Sequence, residues 1–419
     1  MKFKTLKGAA LVAATSMLPL SQAAMAEVTI SGWVNEGVTF YDTGSQSDAV
    51  QLSDNGTTLG TRMTFAGETE VATGITAGFE IILEPSTTGV ALGWGSTGGV
   101  GDNVNGHSIG VLGNSVHVGG GWGKLTVGLQ SMPTDNIAVL EDPSLTLWSS
   151  ISPIFKGNSV TIDGLGAGAT NTNWGQFLKC LTVDGLFIGI DCNGIYRSGV
   201  RYDLPAFGPV TIAVGWANDD VYDVAAKWKG DLGSMKASIA LGYAINQGAG
   251  GAGFKEAENF QLQAGLMHPD TGLFGSIAYQ HEEADAAVGT IAGDDTDAWW
   301  LKVGIKKQWF SLGDTALAFQ YGQYNDQFGT ATVAAGAAVV NSNGTVTPGT
   351  AAIANPGITG SEVERIGLEV NQYFGSSLII YGAWEQLDLD VDCSNTLCAA
   401  AYAGSDELDT FTLGAVYFF

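Results

Sequence analysis

What most limits the fold of this chain is a two-residue alternation of apolar with polar or small side chains, recurring almost everywhere after residue 26. Ile75, Ala77, Phe79, Ile81 and Leu83 alternate with Thr76, Gly78 and Glu80, and Val210, Ile212, Val214 and Trp216 with Thr211, Ala213 and Gly215. A period of two places successive side chains on opposite faces of a strand. Sixteen such segments are predicted: 28–42, 59–71, 75–84, 114–121, 123–131, 195–204, 209–217, 221–229, 235–245, 258–267, 273–281, 297–307, 313–324, 362–372, 377–388 and 408–419. Many are near ten residues, about the length a tilted strand needs to cross a bilayer.

The connections alternate in kind. Short turns such as Ala72-Thr73-Gly74, Trp122 and His268-Pro269-Asp270-Thr271-Gly272 take turns with longer links at 43–58, 85–113, 132–194, 246–257, 282–296, 325–361 and 389–407. One link in the long set, Asn218 to Asp220, is short. Short turns on one side and long loops on the other is the layout of a transmembrane β-barrel, and an even strand number puts both termini on the short-turn side.

Charge placement supports closure in a membrane rather than a soluble sandwich. Arg62, Arg197, Arg201, Lys227, Lys236, Lys302, Lys306 and Arg365 all take the parity opposite to their apolar neighbours. A Lys or Arg at mid-membrane on the lipid side would cost roughly 2–4 kcal/mol. Glu36 breaks the pattern in the first segment and Trp33 sits on the wrong parity; a β-bulge there would repair both. The last residues, FTLGAVYFF, end on two aromatic rings where a free end in water would be polar. In a closed barrel the last strand pairs with the first, and its aromatic end meets the membrane interface.

The other end reads as an export signal over 1–26. Lys2, Lys4 and Lys7 precede an apolar run from Gly8 to Leu20 and an Ala24-Met25-Ala26 cleavage site. The mature barrel then spans 27–419. A net charge of −25 excludes general affinity for nucleic acid, which needs a basic surface. Four cysteines form two close pairs, Cys180 with Cys192 and Cys393 with Cys398, expected as disulfides in an exported chain.

Several stretches resemble the Gram-negative general porin family. TRMTFAGETEVATGITAGFEIILE (Thr61–Glu84) is similar to its second and third strands, with Arg62, Phe65 and Gly67 matching and the acidic pair as Glu68 and Glu70. YRSGVRYDLPAFGPVTIAVGW (Tyr196–Trp216) resembles the sixth and seventh strands at Arg197, Arg201, Tyr202, Asp203 and Pro205. GKLTVGLQ (Gly123–Gln130) resembles the strand leading to the third loop, with Leu129 where the family has Arg. GAVYFF resembles the outer-membrane assembly signal, with Tyr417 and Phe419 in place. The resemblance implies a sixteen-stranded outer-membrane barrel, usually a homotrimer, whose third loop narrows a water-filled channel for small hydrophilic solutes and ions.

The longest connection, 132–194, is therefore expected to be the constriction loop, with a Cys180–Cys192 bridge holding its far end. Arg62, Arg197, Arg201, Lys227 and Lys236 are candidates for the pore wall, and Glu141, Asp142, Asp184 and Asp191 for the loop's opposing acids. Opposed charges across a narrow gap would orient dipolar solutes. An inward arginine can also simply pair with a wall carboxylate such as Asp203. Trp300 faces inward, to contact sugars or to fill space.

The many acids admit two readings. They make the pore cation-selective. Or, at Asp294, Asp295, Asp297, Asp388, Asp390, Asp392, Asp406, Glu407 and Asp409, they carry loosely bound divalent cations that bridge lipopolysaccharide. No other cofactor or metal is expected. His107, His117, His268 and His281 form no Ser–His–Asp spacing, so an enzyme is not expected. The competing roles are a plugged barrel whose surface loops act as adhesin or receptor, and a substrate-specific channel.

Overall fold

The computed structural model describes residues 27–44, 49–53, 59–86, 108–139, 196–247, 254–286, 294–328, 339–340, 346–347 and 357–419, with 142–144, 146–149, 160–166, 172–180, 190 and 192 of the long connection. The expected signal segment and most of the low-complexity stretch 331–360 lie outside these residues.

Sixteen long antiparallel strands close into one barrel. In chain order they are β1 (Glu27–Asp42), β2 (Arg62–Ala72), β3 (Ile75–Ser86), β4 (Ser108–Gly120), β5 (Gly123–Ser131), β6 (Tyr196–Asp203), β7 (Val210–Ala217) and β8 (Val221–Leu232). They continue with β9 (Met235–Asn246), β10 (Phe254–Met267), β11 (Leu273–Ala286), β12 (Asp295–Phe310), β13 (Gly313–Asn325), β14 (Ile358–Phe374), β15 (Leu378–Cys393) and β16 (Leu408–Phe418). Each pairs with the next, and β1 pairs with β16 from Trp33↔Phe418 to Asp42↔Asp409. A short extra strand, Ala49–Ser53, adds to the upper part of β1. Closure satisfies the backbone groups that hydrocarbon cannot, each of which would otherwise cost several kcal/mol.

All sixteen predicted segments are present. They differ mainly in length: β10, β11, β14 and β15 run several residues further toward the long loops. Those extensions carry acids such as Glu256, Glu283 and Asp390, so they rise beyond the apolar band and lose the alternation that marks a spanning strand. The short-turn end is tight. Gly272 has φ +77°, and a Cβ there would lie 2.0 Å from the Lys306 carbonyl oxygen.

The terminal aromatics behave as expected. Phe419 and Gly32 exchange two backbone hydrogen bonds of 3.1 Å, and Tyr417 and Phe419 lie exposed on the outer surface. The expected bulge in β1 is absent. The β1–β16 register runs without a shift, Trp33 points inward and Glu36 lies on the outer face between Val34 and Val38. Trp33 stays inside because it has partners there. Its Nε1 donates to Gly60 O at 2.7 Å, and its ring meets Trp148 of the long connection edge-on at 5.3 Å.

Both cysteine pairs are disulfide-bonded. The last loop holds a short helix, α1 (Thr396–Tyr402), that the alternation could not reveal. Asn395 caps it by accepting from Leu397 N and Cys398 N at 3.0 and 2.9 Å.

Candidate functional site

Strand parity delivers the inner wall. On β2, Arg62 points inward while Met63 and Phe65 face out; on β6, Arg197, Arg201 and Asp203 share the inner face. Arg62 donates from Nε and Nη2 to Glu84 Oε1 at 3.0 and 2.6 Å, with its guanidinium 5.0 Å from the Trp33 ring centre. Arg201 forks onto Asp203 Oδ1 at 3.0 and 2.7 Å and donates from Nη1 to Ser131 O at 3.1 Å. Arg201 thus has the wall carboxylate of the structural reading, yet keeps 27% of its side-chain surface open to the lumen. Arg197 and Lys227 are half-buried on the same inner wall. Lys236 lies apart, exposed at the short-turn end of β9 with Asp231 at 2.6 Å.

The long connection turns inward directly after β5. Thr134 donates through N and Oγ1 to Asp223 Oδ2 on β8 at 2.9 and 2.8 Å. Next to it, Asp135 is buried. Loss of hydration pushes its carboxyl up to about 6, against the lowering pull of Ser131, Arg62, Lys227 and Arg201. Asp135 thus feels the charges of Arg62, Lys227 and Arg201 on the wall.

Asp142 has a different role. Together with Lys302 and Glu369 it forms an ion cluster with Lys302 Nζ 3.0 and 3.1 Å from the two carboxylates; all three side chains are 0–1% exposed. Burial opposes charge on Asp142, but the Lys302 ammonium and the Ser144 hydrogen bonds outweigh it and hold this carboxyl below the usual range. Lys302 also donates to Thr146 Oγ1 at 2.8 Å, Ser149 Oγ donates to Glu369 at 2.5 Å, and Tyr373 OH donates to Ser144 O at 2.9 Å. Segment 142–149 is therefore fastened to the inner faces of β12 and β14.

The far part of the connection is also seated. Trp174 and Phe177 are buried, and Phe177 packs edge-on against Tyr402 of α1 at 5.8 Å. Lys179 N donates to Gln327 O at 2.9 Å, and Cys192 N to Gln280 Oε1 on β11 at 2.8 Å, so the Cys180–Cys192 bridge lies against the wall. Trp300 is 2% exposed, donates to Gln320 Oε1 at 3.0 Å and fills space under the loop.

The lumen is thus filled unevenly. Inward side chains of β9–β16 such as Gln261, Gln280, Lys302, Gln320 and Arg365 are fully buried. Against β1–β6 a cleft of about 420 Å³ remains. Glu27, Glu68, Glu80 and Asp203 line it with Lys124 and Arg201, and His117 Nε2 lies 2.9 Å from Glu68.

Glu141, Asp184 and Asp191 lie outside the described residues. The sequence reading passed over Asp135, Asp223 and Glu369. The signal for the last two was available: Asp223 shares the parity of Lys227 on β8, and Glu369 that of Arg365 on β14.

No curated protein matches the chain significantly. Among solved structures it resembles an anion-selective porin from Comamonas acidovorans, with 17% identity, a TM-score of 0.56, and 94% of this chain and 100% of that one covered. It also resembles OmpT, an outer membrane protein of Vibrio cholerae. A loop L8 deletion mutant matches at 11% identity and TM-score 0.52, covering 94% and 99% of the two chains. A trimer form matches at 11% and 0.50 over the same shares. These likenesses establish the fold. The family model for Gram-negative porins matches residues 8–388. With its closed sixteen-stranded barrel and charged lumen, the chain belongs to the Gram-negative porin family and is an outer-membrane channel for passive diffusion.

Proposed function

We propose that small hydrophilic solutes and ions pass through the cleft lined by β1–β6, and that the path prefers cations. The observation that carries this reading is the unevenly filled lumen: inward side chains of β9–β16 are covered, while four carboxylates and two cations line the remaining cleft. Excess negative charge on a narrow path raises the local cation concentration. Arg62, Arg197, Arg201 and Lys227 set one side of a transverse field and Asp135 the other; Lys236 acts only at the periplasmic mouth. The anion-selective porin of Comamonas acidovorans carries the opposite preference by its name.

Planar-bilayer recording of the folded mature protein in a salt gradient tests this. Open steps with a cation-directed reversal potential are expected. Equal permeabilities would remove the selectivity, and a silent bilayer would favour the plugged adhesin or receptor scaffold.

Three further readings go with the channel. A homotrimer is favoured by Glu36, an exposed carboxylate inside the apolar outer stripe of β1 that a second copy would shield from lipid. Lipopolysaccharide is favoured by the outward acids Glu258, Asp297, Glu364 and Asp409, which accept from Tyr243, Tyr279, Tyr321 and Trp384, where divalent cations would bridge its phosphates. A role without catalysis is favoured by the porin family model that matches the chain. Removal of residues 1–26 on export completes the scheme.

A further inference from the structure

Outside the lumen, one side-chain cluster has chemistry that neither permeation nor lipid contact uses. It sits on the outer face of β11 and β12, at the long-loop end. His281 and Asp297 are direct cross-strand partners, and Asp295 lies two residues along β12 on the same face. His281 Nδ1 is 3.2 Å from an Asp297 carboxylate oxygen and 3.6 Å from an Asp295 oxygen. One donor atom from each of the three residues falls within 4.8 Å of the other two. Tyr279 OH donates to the same Asp297 oxygen and fixes that carboxylate. The next rung places Glu283 opposite Asp295 and Glu258 opposite Glu283, a run of like charges that cross-strand pairing disfavours unless a cation intervenes.

We propose that His281, Asp295 and Asp297 bind a divalent transition-metal ion of the zinc class at the extracellular rim. Two arguments carry this. First, donors about 2.0–2.1 Å from a tetrahedral ion lie roughly 3.3–3.4 Å from one another, and the two separations from His281 Nδ1 bracket that edge. Second, an imidazole nitrogen with carboxylate oxygens suits borderline ions such as Zn²⁺, whereas Mg²⁺ and Ca²⁺ favour all-oxygen shells. Three protein donors leave one position open, as in zinc sites that exchange a ligand. His281 is 37% exposed and Asp297 43%, so the ion has a path from solvent. The site shares Asp295 and Asp297 with the lipopolysaccharide reading and differs from it by His281, a nitrogen donor that hard cations do not require.

The test is calorimetric titration of Zn²⁺ into the chelator-washed, folded protein in detergent, repeated in excess Mg²⁺. One site per chain that survives Mg²⁺ is expected. His281→Ala and Asp297→Asn should each weaken it at least tenfold, while His268→Ala, at a periplasmic turn, leaves it unchanged. Heat-modifiable migration confirms that each variant is folded. With Co²⁺ as probe, the wild type should show visible d–d absorption that His281→Ala lacks. No Zn²⁺ binding by the wild type would overturn the proposal and leave an imidazole–carboxylate contact. An unchanged isotherm in His281→Ala, or full displacement by Mg²⁺, would overturn it equally.

Discussion

Lys302→Met should release the constriction loop from the barrel wall. The side chain is fully buried and neutralises Asp142 at 3.0 Å and Glu369 at 3.1 Å. Its removal leaves two carboxylates without a counter-ion inside the protein, and breaking a buried pair this way costs about 3–5 kcal/mol. The barrel ladder does not depend on this residue's side chain, so the cost falls on the docking of segment 142–149. Each 1.4 kcal/mol is a factor of about ten, so the undocked fraction should rise roughly a hundredfold or more. Limited proteolysis of the folded barrel reads this directly, because cleavage follows the open population when reclosing is fast. Cleavage within 132–194 should accelerate by about two orders of magnitude, with noisier single-channel current. The pH dependence has a definite sign. Asp142 is held below its ordinary range, so its contribution to docking is present above the unfolded value near 4 and is lost as pH falls through the lower, docked value. Wild-type cleavage should therefore be slow at neutral pH and rise only in strong acid. A Lys302→Met protein with wild-type cleavage and conductance would refute the cluster as the loop's fastening.

Asp135 gives the opposite sign. Its carboxyl is raised to about 6, so its ionised form destabilises the folded loop. Stability from this group is full below about 4 and declines as pH rises through 6. Cation preference should step upward between pH 5 and 7, and Asp135→Asn should abolish that step in reversal-potential measurements. Arg201→Glu, at the open cleft, should raise the cation-to-anion permeability ratio severalfold, whereas Lys236→Glu, at the periplasmic rim, should change it far less. Glu36→Leu should leave the barrel folded; a loss of trimer on unheated gels would place Glu36 at the protomer contact, and an unchanged trimer would reject that placement.

The alternation of β3, β7 and β12 carries enough information to specify strands, their number and their inner faces, because a period of two is a local property of the backbone. Arg62, Arg201, Lys302 and Arg365 are inside for that reason, and the close cysteine pairs form where the sequence puts them. Parity says nothing, however, about which inward side chain meets water. Asp142 and Asp135 lie seven residues apart in the same loop, and nothing local separates an acid sealed against Lys302 from one facing Arg62 and Arg201. That distinction comes from where a long connection crosses the lumen and which wall it packs on. The same holds for Trp33, whose inward place depends on Trp148 more than a hundred residues away. The upper ends of β10, β11, β14 and β15 and the helix after Asn395 also escaped the pattern, since above the membrane the outer face no longer needs apolar residues. The sequence by itself thus determined a closed barrel of sixteen strands with a charged interior. Tertiary structure decided which part of that interior stays open, because contacts between distant segments, not backbone periodicity, set the path of a loop.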